Sequence, residues 1–281
     1  MASLVQGEDP VEPAAGRLRV ATWNLWWHFG PWEERQPAIR EAMRAVDADV
    51  WCLQEVFRGR DAPDQAEELA DALGGYHVAH GSRFDLGRFR ESIGNAVLSR
   101  YPIRASETRP LSAPPGLDEL RMVVRADIDA PGHTVEVFST HLNYRLDQSH
   151  VRQAQVRELC AFVDETTDRR TYPPIVCGDF NADPDSEEIR MMTGLTAVPV
   201  PGLVFIDGWR AGGTGVGSTW DNRNRHAAAD FEPDRRIDYV LVGYPRTAGI
   251  GQVVDARLVG DAPVGGVWPS DHCGVVADLR I

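Results

Sequence analysis

The sequence predicts an α/β layered fold. Short apolar strand-like runs alternate with helical patterns, Gly and Pro signals separate them, and the chain carries enough apolar material for a large core. Of its 281 residues, 43% are hydrophobic and 25% charged, an ordinary globular balance.

Residues 18–24 (LRVATWN) read as a buried strand. Pro37 suits a helix first turn, after which Ile39, Met43 and Val46 fall on one helical face. Residues 50–55 (VWCLQE) form a second strand, and a helix over 67–73 stops at Gly74-Gly75. Residues 95–99 make a short apolar strand ended by Tyr101-Pro102. Residues 121–129 and 135–140 read as a hairpin turned at Pro131-Gly132. A helix follows over about 150–163, then a strand over 175–181 that runs into a loop. Ser186 caps a short helix with Glu187 and Glu188 in its first turn. Strands over 237–242, 252–258 and 274–279 finish the chain, and no repeat or linker divides it. Residues 17–281 are therefore expected to form a single domain.

Residues 1–16 are acidic and rich in Pro, Ala and Gly, without the charged and apolar regions of a signal peptide; they read as a disordered lead-in. No apolar run approaches a membrane span, so no transmembrane segment is expected and the expected location is the cytoplasm. Cys52, Cys160, Cys177 and Cys273 are far apart and read as buried free thiols. The net charge of −13 disfavours tight, sequence-blind binding of duplex DNA, because a polyanion is repelled unless a basic patch offsets the charge. Every basic residue is Arg, which composition explains as well as phosphate recognition does.

Polar residues stand where the apolar strands end: Asn24, Glu55, His141, Asp179, Asn181, and Asp271-His272 just before the last strand. In layered α/β folds ligands gather at strand ends, where loops from separate elements converge. Taken singly, each has an ordinary reading as a turn residue, a helix cap or a satisfied core histidine.

As a set they carry more. TWN, LQE, GNAVLSR, STHL, GDFNADP, RIDYV and SDH occur in that order over residues 22–272. This series resembles the endonuclease/exonuclease/phosphatase superfamily, which includes pancreatic deoxyribonuclease, AP endonucleases, mRNA deadenylases, neutral sphingomyelinases and inositol-polyphosphate phosphatases. The resemblance implies a four-layer sandwich of two packed mixed β-sheets flanked by helices, and a hydrolase using Mg²⁺ or Mn²⁺. It implies metal binding by Glu55 and Asp271, with Asn24 nearby. It implies that Asp179 positions the attacking water, that Asn181 holds the phosphate or that aspartate, and that Asp238 orients His272. His141 is implied as a contact to phosphoryl oxygens, and Asn95 falls in a matching motif as a substrate-side residue. These residue types suit the chemistry. An anionic phosphoester repels hydroxide until its charge is neutralised, and an imidazole fixed by an aspartate stabilises charge developing on the phosphorus centre.

The substrate stays open at this point: a nucleic acid, a nucleotide or a small phosphoester, with acidity favouring small or single-stranded ones. Arg83, Arg88 and Arg90 in a Gly-containing loop suit phosphate binding or merely a solvated surface. The stretch STWDNRNRH over 218–226 offers Trp220 for stacking and Asn222 for a polar contact. Trp26, Trp27 and Trp32 suit an apolar wall or sheet-edge packing. Alternative readings are a sphingomyelinase-type lipid phosphodiesterase, for which only WWHFGPW offers a membrane-reaching loop, and a non-catalytic phosphate-binding scaffold, which the intact Glu55, Asp179, Asp238, Asp271 and His272 disfavour.

Overall fold

Period-two patterning drives the architecture. Along β1 (Arg17–Asn24), Leu18 and Val20 point into one core while Ala21 and Trp23 point into another. β2 (Val50–Gly59) divides the same way, Val50 and Cys52 to one side, Trp51 and Leu53 to the other. A strand buried on both faces must lie between two layers. The computed structural model describes residues 15–59, 64–82, 91–113, 121–168 and 172–281. The lead-in up to residue 14 and the arginine loop with Arg83, Arg88 and Arg90 lie outside the described residues.

The remaining strands are β3 (His77–Ser82), β4 (Glu91–Ser99), β5 (Ile103–Leu111), β6 (Arg121–Ala130), β7 (His133–His141), β8 (Ile175–Asp179), β9 (Phe205–Asp207), β10 (Asp238–Gly243), β11 (Val253–Val259) and β12 (Gly274–Arg280). They form two 6-stranded sheets, ordered β11-β12-β1-β2-β4-β3 and β5-β6-β7-β8-β10-β9. Each sheet is mixed: β1 and β2 are parallel within one, β7 and β8 within the other, and their other pairings are antiparallel. Helices α1 (Trp32–Val46) and α2 (Gln65–Ala72) cover the first sheet, through Ile39, Met43 and Leu69 against Trp23 and Trp51. Helices α3 (Ser149–Thr166) and α4 (Glu187–Met192) cover the second, through Leu159, Phe162 and Met192 against Phe138 and Tyr239. A five-residue helix α5 (Gly208–Gly212) adds Trp209 to the core between the sheets. The expected four-layer α/β sandwich is what forms. Fully burying side chains of this size stabilises by about 1.5–3 kcal/mol each.

Several expectations are corrected in detail. α1 begins at Trp32, so Pro37 lies inside it rather than in its first turn. Its missing N–H deprives only the Glu33 carbonyl of a partner, and Glu33 is exposed to water. Ser186 does stand at the cap of α4, but its hydroxyl donates to the Asp183 carbonyl and accepts from no helix N–H. Strands β3, β5 and β9, which the pattern reading misses, all stand at sheet edges. β5 is largely exposed and carries Pro110, as an edge strand tolerates.

The inward face between the sheets grades from apolar to polar toward one end. β1 runs Leu18, Val20, Thr22, Asn24; β7 runs Val135, Val137, Ser139, His141; β8 runs Ile175, Cys177, Asp179. The polar rows begin with Thr22 donating to Gln54 (3.2 Å), whose amide donates to Ser139 (3.1 Å). One step further, His141, Asp179 and Asp238 stand opposite one another across β7, β8 and β10.

Candidate active site

Local backbone geometry aims these side chains. Leu53 pairs with Ala96 and Val56 with Gly94, so Gln54 and Glu55 share a single opposing residue, Asn95. This is a β-bulge, and Glu55 within it has φ 52°. Strict alternation would send Glu55 toward the helices, since Gln54 already points inward; the bulge returns it to the site. Gly178 precedes Asp179 with φ 154°, and a Cβ there would stand 2.0 Å from the Thr140 carbonyl oxygen. Only glycine lets β8 approach β7 closely enough to place Asp179 beside His141. Asn181 also has a left-handed φ, 51°, turning the chain away at once.

The residues at these ends meet. The Asn24 amide donates to Glu55 Oε1 (3.2 Å) and Asp179 Oδ2 (3.1 Å). His141 Nε2 lies 3.4 Å from Asp179 Oδ2, and its Nδ1 lies 4.0 Å from Glu55 Oε1. His272 Nε2 lies 3.8 Å from the same Asp179 oxygen, while its Nδ1 holds Asp238 Oδ2 at 3.0 Å. The Asn181 N–H donates to Asp179 Oδ1 (2.9 Å), and its side-chain amide holds the Leu142 carbonyl (3.1 Å) behind His141. Ser270 ties Asp271 (3.2 Å) to the Asn24 carbonyl (2.7 Å). Asn24, His141, Asp179, Asn181, Asp238, Asp271 and His272 are all buried, and Glu55 is half-buried.

Charge is distributed unequally. Burial opposes ionisation of Asp179, but the charge of His272 and the hydrogen bonds from the Asn24 amide and the Asn181 N–H favour it, and this carboxyl lies below its usual range. Burial pushes His141 down to about 3, with Arg121 adding to the effect, so this imidazole is neutral. Burial also disfavours the cation of His272, yet Asp238, Asp179 and Asp271 raise it well above the usual imidazole value. Burial lifts Asp238 to about 6 against the pull of His272. Asp271 is lifted to about 7, by burial first and with Glu55 adding repulsion. Burial raises Glu55 likewise.

The donor set fits a hard divalent cation. Several carboxylates crowd one buried space, Glu55 raises the proton affinity of Asp271 as Asp179 raises that of Glu55, and Asp238 Oδ1 is buried without a hydrogen-bond partner. Asp179, Asp238 and His272 offer atoms within 4.8 Å of one another. The His272–Asp238 hydrogen bond already uses one side of that trio, so Glu55 and Asp271 are the better oxygen donors.

An open cleft leads to this cluster, lined by Glu55, Ile93, Asn95, Arg121 and His141 among others. Asn95 lines this cleft, and its amide donates to the Met122 carbonyl (3.1 Å). Trp220 packs edge-on against His272, with ring centroids 5.0 Å apart. Asn222 does not join the cluster. It is exposed, and its amide is held by the Glu232 carbonyl (2.9 Å) and Asp234 (2.7 Å), which close the 221–234 loop. The buried asparagine two positions on, Asn224, does reach the site, donating to the carbonyls of Ser270 (2.7 Å) and Asp271 (3.1 Å). The sequence reading also passes over Thr219, whose hydroxyl accepts from the Asp238 N–H (3.1 Å), and over Arg121. Thr219 stands in the stretch already singled out for its aromatic; Arg121 carries no local signal beyond its place before an apolar strand.

Known proteins share this arrangement of elements. Residues 21–272 match the model of the endonuclease/exonuclease/phosphatase family. Escherichia coli K12 carries a relative, the uncharacterized protein YbhP, 35% identical over an alignment of 175 residues that covers 58% of this chain and 66% of YbhP, just under two thirds of that relative. Nocturnin of Xenopus laevis is 24% identical over 267 residues, covering 88% of this chain and 64% of nocturnin. Among solved structures, an endonuclease/exonuclease/phosphatase from Beutenbergia cavernae superposes with a TM-score of 0.71 at 29% identity, covering 94% of this chain and 72% of that one. D. rerio TDP2 complexed with a single-strand DNA product superposes with a TM-score of 0.74 at 19% identity, covering 94% and 99%. With the family pattern spanning most of the sequence and both sheets in the family's arrangement, the chain belongs to the endonuclease/exonuclease/phosphatase family.

Proposed function

We propose that the protein is a hydrolase of phosphoric esters that works with Mg²⁺ or Mn²⁺. The observation that carries this reading is the convergence on Asp179 of His141, His272 and the Asn24 amide, beside Glu55 and Asp271. Glu55 and Asp271, with Asn24 beside them, would hold the metal. When bound, such an ion neutralises phosphoryl charge and acts as a Lewis acid.

The chain's own residues divide the remaining work. Asp179, kept ionised, accepts a hydrogen bond from the attacking water and aligns it. Neutral His141 donates to a phosphoryl oxygen without adding charge that would draw the carboxylates away. His272, cationic and oriented by Asp238, stabilises charge gathering on the phosphoryl group and holds a proton at Nε2. Asn181 holds the loop behind His141 and shares Asp179. Trp220 fixes the plane of the His272 ring, and Asn95 would face the substrate.

Residues 17–281 are read as one catalytic unit, and four buried free thiols accord with the reducing cytoplasm. No helix among the described residues is long and apolar enough to cross a membrane. The net charge of −13 and the single-strand DNA product bound by TDP2 together favour a small or single-stranded phosphodiester.

The test is hydrolysis of bis-p-nitrophenyl phosphate and p-nitrophenyl phosphate with Mg²⁺, with Mn²⁺ and with EDTA. Release that needs metal and disappears in Asp179→Asn is the expected result, and the ratio between the two esters sorts diesterase from monoesterase. Release that is indifferent to EDTA, or unaffected by Asp179→Asn, would sink the reading.

A further inference from the structure

A buried arginine outside every motif of the family series occupies the junction of two active-site loops. Arg35 lies on the inner face of α1 and is fully buried. Its guanidinium donates to carbonyls, not to carboxylates. Nη1 reaches Leu25 (2.8 Å) and Pro269 (2.9 Å). Nη2 reaches Trp26 (3.1 Å), Trp27 (2.9 Å) and Phe29 (2.9 Å). The Trp26 and Trp32 rings lie 4.8 and 5.8 Å from the guanidinium carbon. Among the described residues no carboxylate lies within ion-pair distance of it.

The carbonyls it gathers belong to two separate segments. Residues 25–29 follow Asn24 directly, and Pro269 precedes Ser270, Asp271 and His272. The first segment holds an unfavourable backbone, with left-handed φ at Trp26 (58°) and Trp27 (32°). Large side chains adopt this region only when the surroundings impose it. The imposed turn has a chemical consequence, because the Trp26 N–H then donates to Asn24 Oδ1 (2.9 Å). That bond fixes which way the Asn24 amide faces and presents Nδ2 to Glu55 and Asp179. From the other segment, Ser270 returns a hydrogen bond to the Asn24 carbonyl (2.7 Å) and accepts one from the His272 N–H (3.2 Å).

We infer that Arg35 is a positioning residue that locks the loop bearing Asn24 to the loop bearing Asp271 and His272, and so sets the orientation of the Asn24 amide. The inference rests on the hydrolase reading above for its kinetic consequence, and not for its structural one. Arginine is the residue type that can do this. Its planar fork spreads donors over several acceptors, whereas a lysine ammonium offers three donors from a single point. Its buried charge also stands within electrostatic reach of Asp271 and Glu55, which makes the same residue felt at the proposed metal donors.

The test is Arg35→Lys, with Arg19→Ala as a destabilised control at the far end of β1, where Arg19 pairs with Asp278. The readouts are thermal melting, Mn²⁺ binding by calorimetry on the full chain, and kcat and KM for bis-p-nitrophenyl phosphate at saturating Mn²⁺. The expected result is a folded Arg35→Lys protein with kcat down at least tenfold, KM within twofold, and Mn²⁺ affinity down about threefold or more. Arg19→Ala should match its loss of melting temperature but keep wild-type kcat and Mn²⁺ affinity. Unchanged kcat and Mn²⁺ affinity in folded Arg35→Lys, or equal losses in Arg19→Ala, would overturn the inference. Should the wild type lack turnover, the hydrolase reading fails while Mn²⁺ affinity still decides the role of Arg35. Should Arg35→Lys fail to fold, hydrogen exchange in the wild type decides instead. The Trp26 and His272 amides must open together and be protected together by Mn²⁺, and independent exchange would reject the lock.

Discussion

Asp179 and His272 stand 3.8 Å apart with opposite charges, and that arrangement dictates how single substitutions behave. Asp179→Asn keeps the volume and the Asn181 N–H contact, so it should fold normally while kcat falls by about 10³-fold or more, equivalent to about 4 kcal/mol of barrier. Near-wild-type turnover in a folded Asp179→Asn protein would remove Asp179 from the chemistry. His272→Ala and Asp238→Asn act on one dyad, so their losses should not add: the double variant should be hardly slower than His272→Ala alone. Additive losses would show that Asp238 works independently of the imidazole.

Asp271 gives a pH test whose sign can be worked out. Its folded carboxyl is raised to about 7, from an ordinary value near about 4. Between these values the folded protein keeps a proton that the unfolded chain has released, so this site's contribution to stability falls as pH rises through that window. Above it, the metal-free protein buries a charge that His272 and Arg35 offset only in part. Asp271→Asn should therefore raise the melting temperature in EDTA at pH 8, by about 2–4 °C for each kcal/mol relieved, and leave it almost unchanged at pH 4. A rise of equal size at both pH values would show that the effect is packing and not charge.

At the scale of elements, the bulge in β2 and the glycine before Asp179 do what side-chain identity cannot. Gly178→Ala would press a methyl group into the Thr140 carbonyl, which is backbone and cannot move aside. This variant should melt far below the wild type, by roughly 3 kcal/mol or more, the range of strained backbone and overpacking together, and lose activity even at temperatures where it stays folded. Thermal unfolding with a parallel activity assay checks both, and a wild-type melting curve would refute the close approach of β8 to β7. The elements invisible to pattern reading have a shared physical reason. β3, β5 and β9 are sheet edges: β5 is largely exposed, β9 is three residues long and β3 offers only Val78 and Ala79 to the cores, so none shows a sustained apolar alternation. The interior strands, buried on both faces, announce themselves.

For the molecule as a whole, the clustered carboxylates and the net charge of −13 predict a protein that is strained without cations. Mg²⁺ or Mn²⁺ should raise the melting temperature in a concentration-dependent way, by about 2.7 kcal/mol of stability at a hundredfold excess over Kd, and EDTA should reverse it. Glu55→Gln should shift that dependence to higher metal concentration; identical metal titrations of Glu55→Gln and wild type would exclude Glu55 as a ligand.

The order of motifs along the chain was enough for the family, the α/β class and the residues that meet at the site, most of which stand at strand ends, which converge in layered folds; Glu55 is the exception, lying inside β2 at its bulge. Asn24, Glu55, His141, Asp179, Asp238, Asp271 and His272 could all be named from their strand positions and motif order. How they meet was not legible there and follows from the fold. The inward aim of Glu55 depends on a bulge whose register is set by β4, and the opposite charge states of His141 and His272 depend on neighbours distant in sequence. The fold also replaced Asn222 with Asn224, since two asparagines two positions apart differ only in which side of a loop they face. Arg35 had one legible trace, a charged residue on the apolar stripe with Ala38, Ile39 and Ala42. Its purpose was not legible, because the carbonyls it gathers are backbone atoms, which every residue carries alike and which only the folded chain brings together.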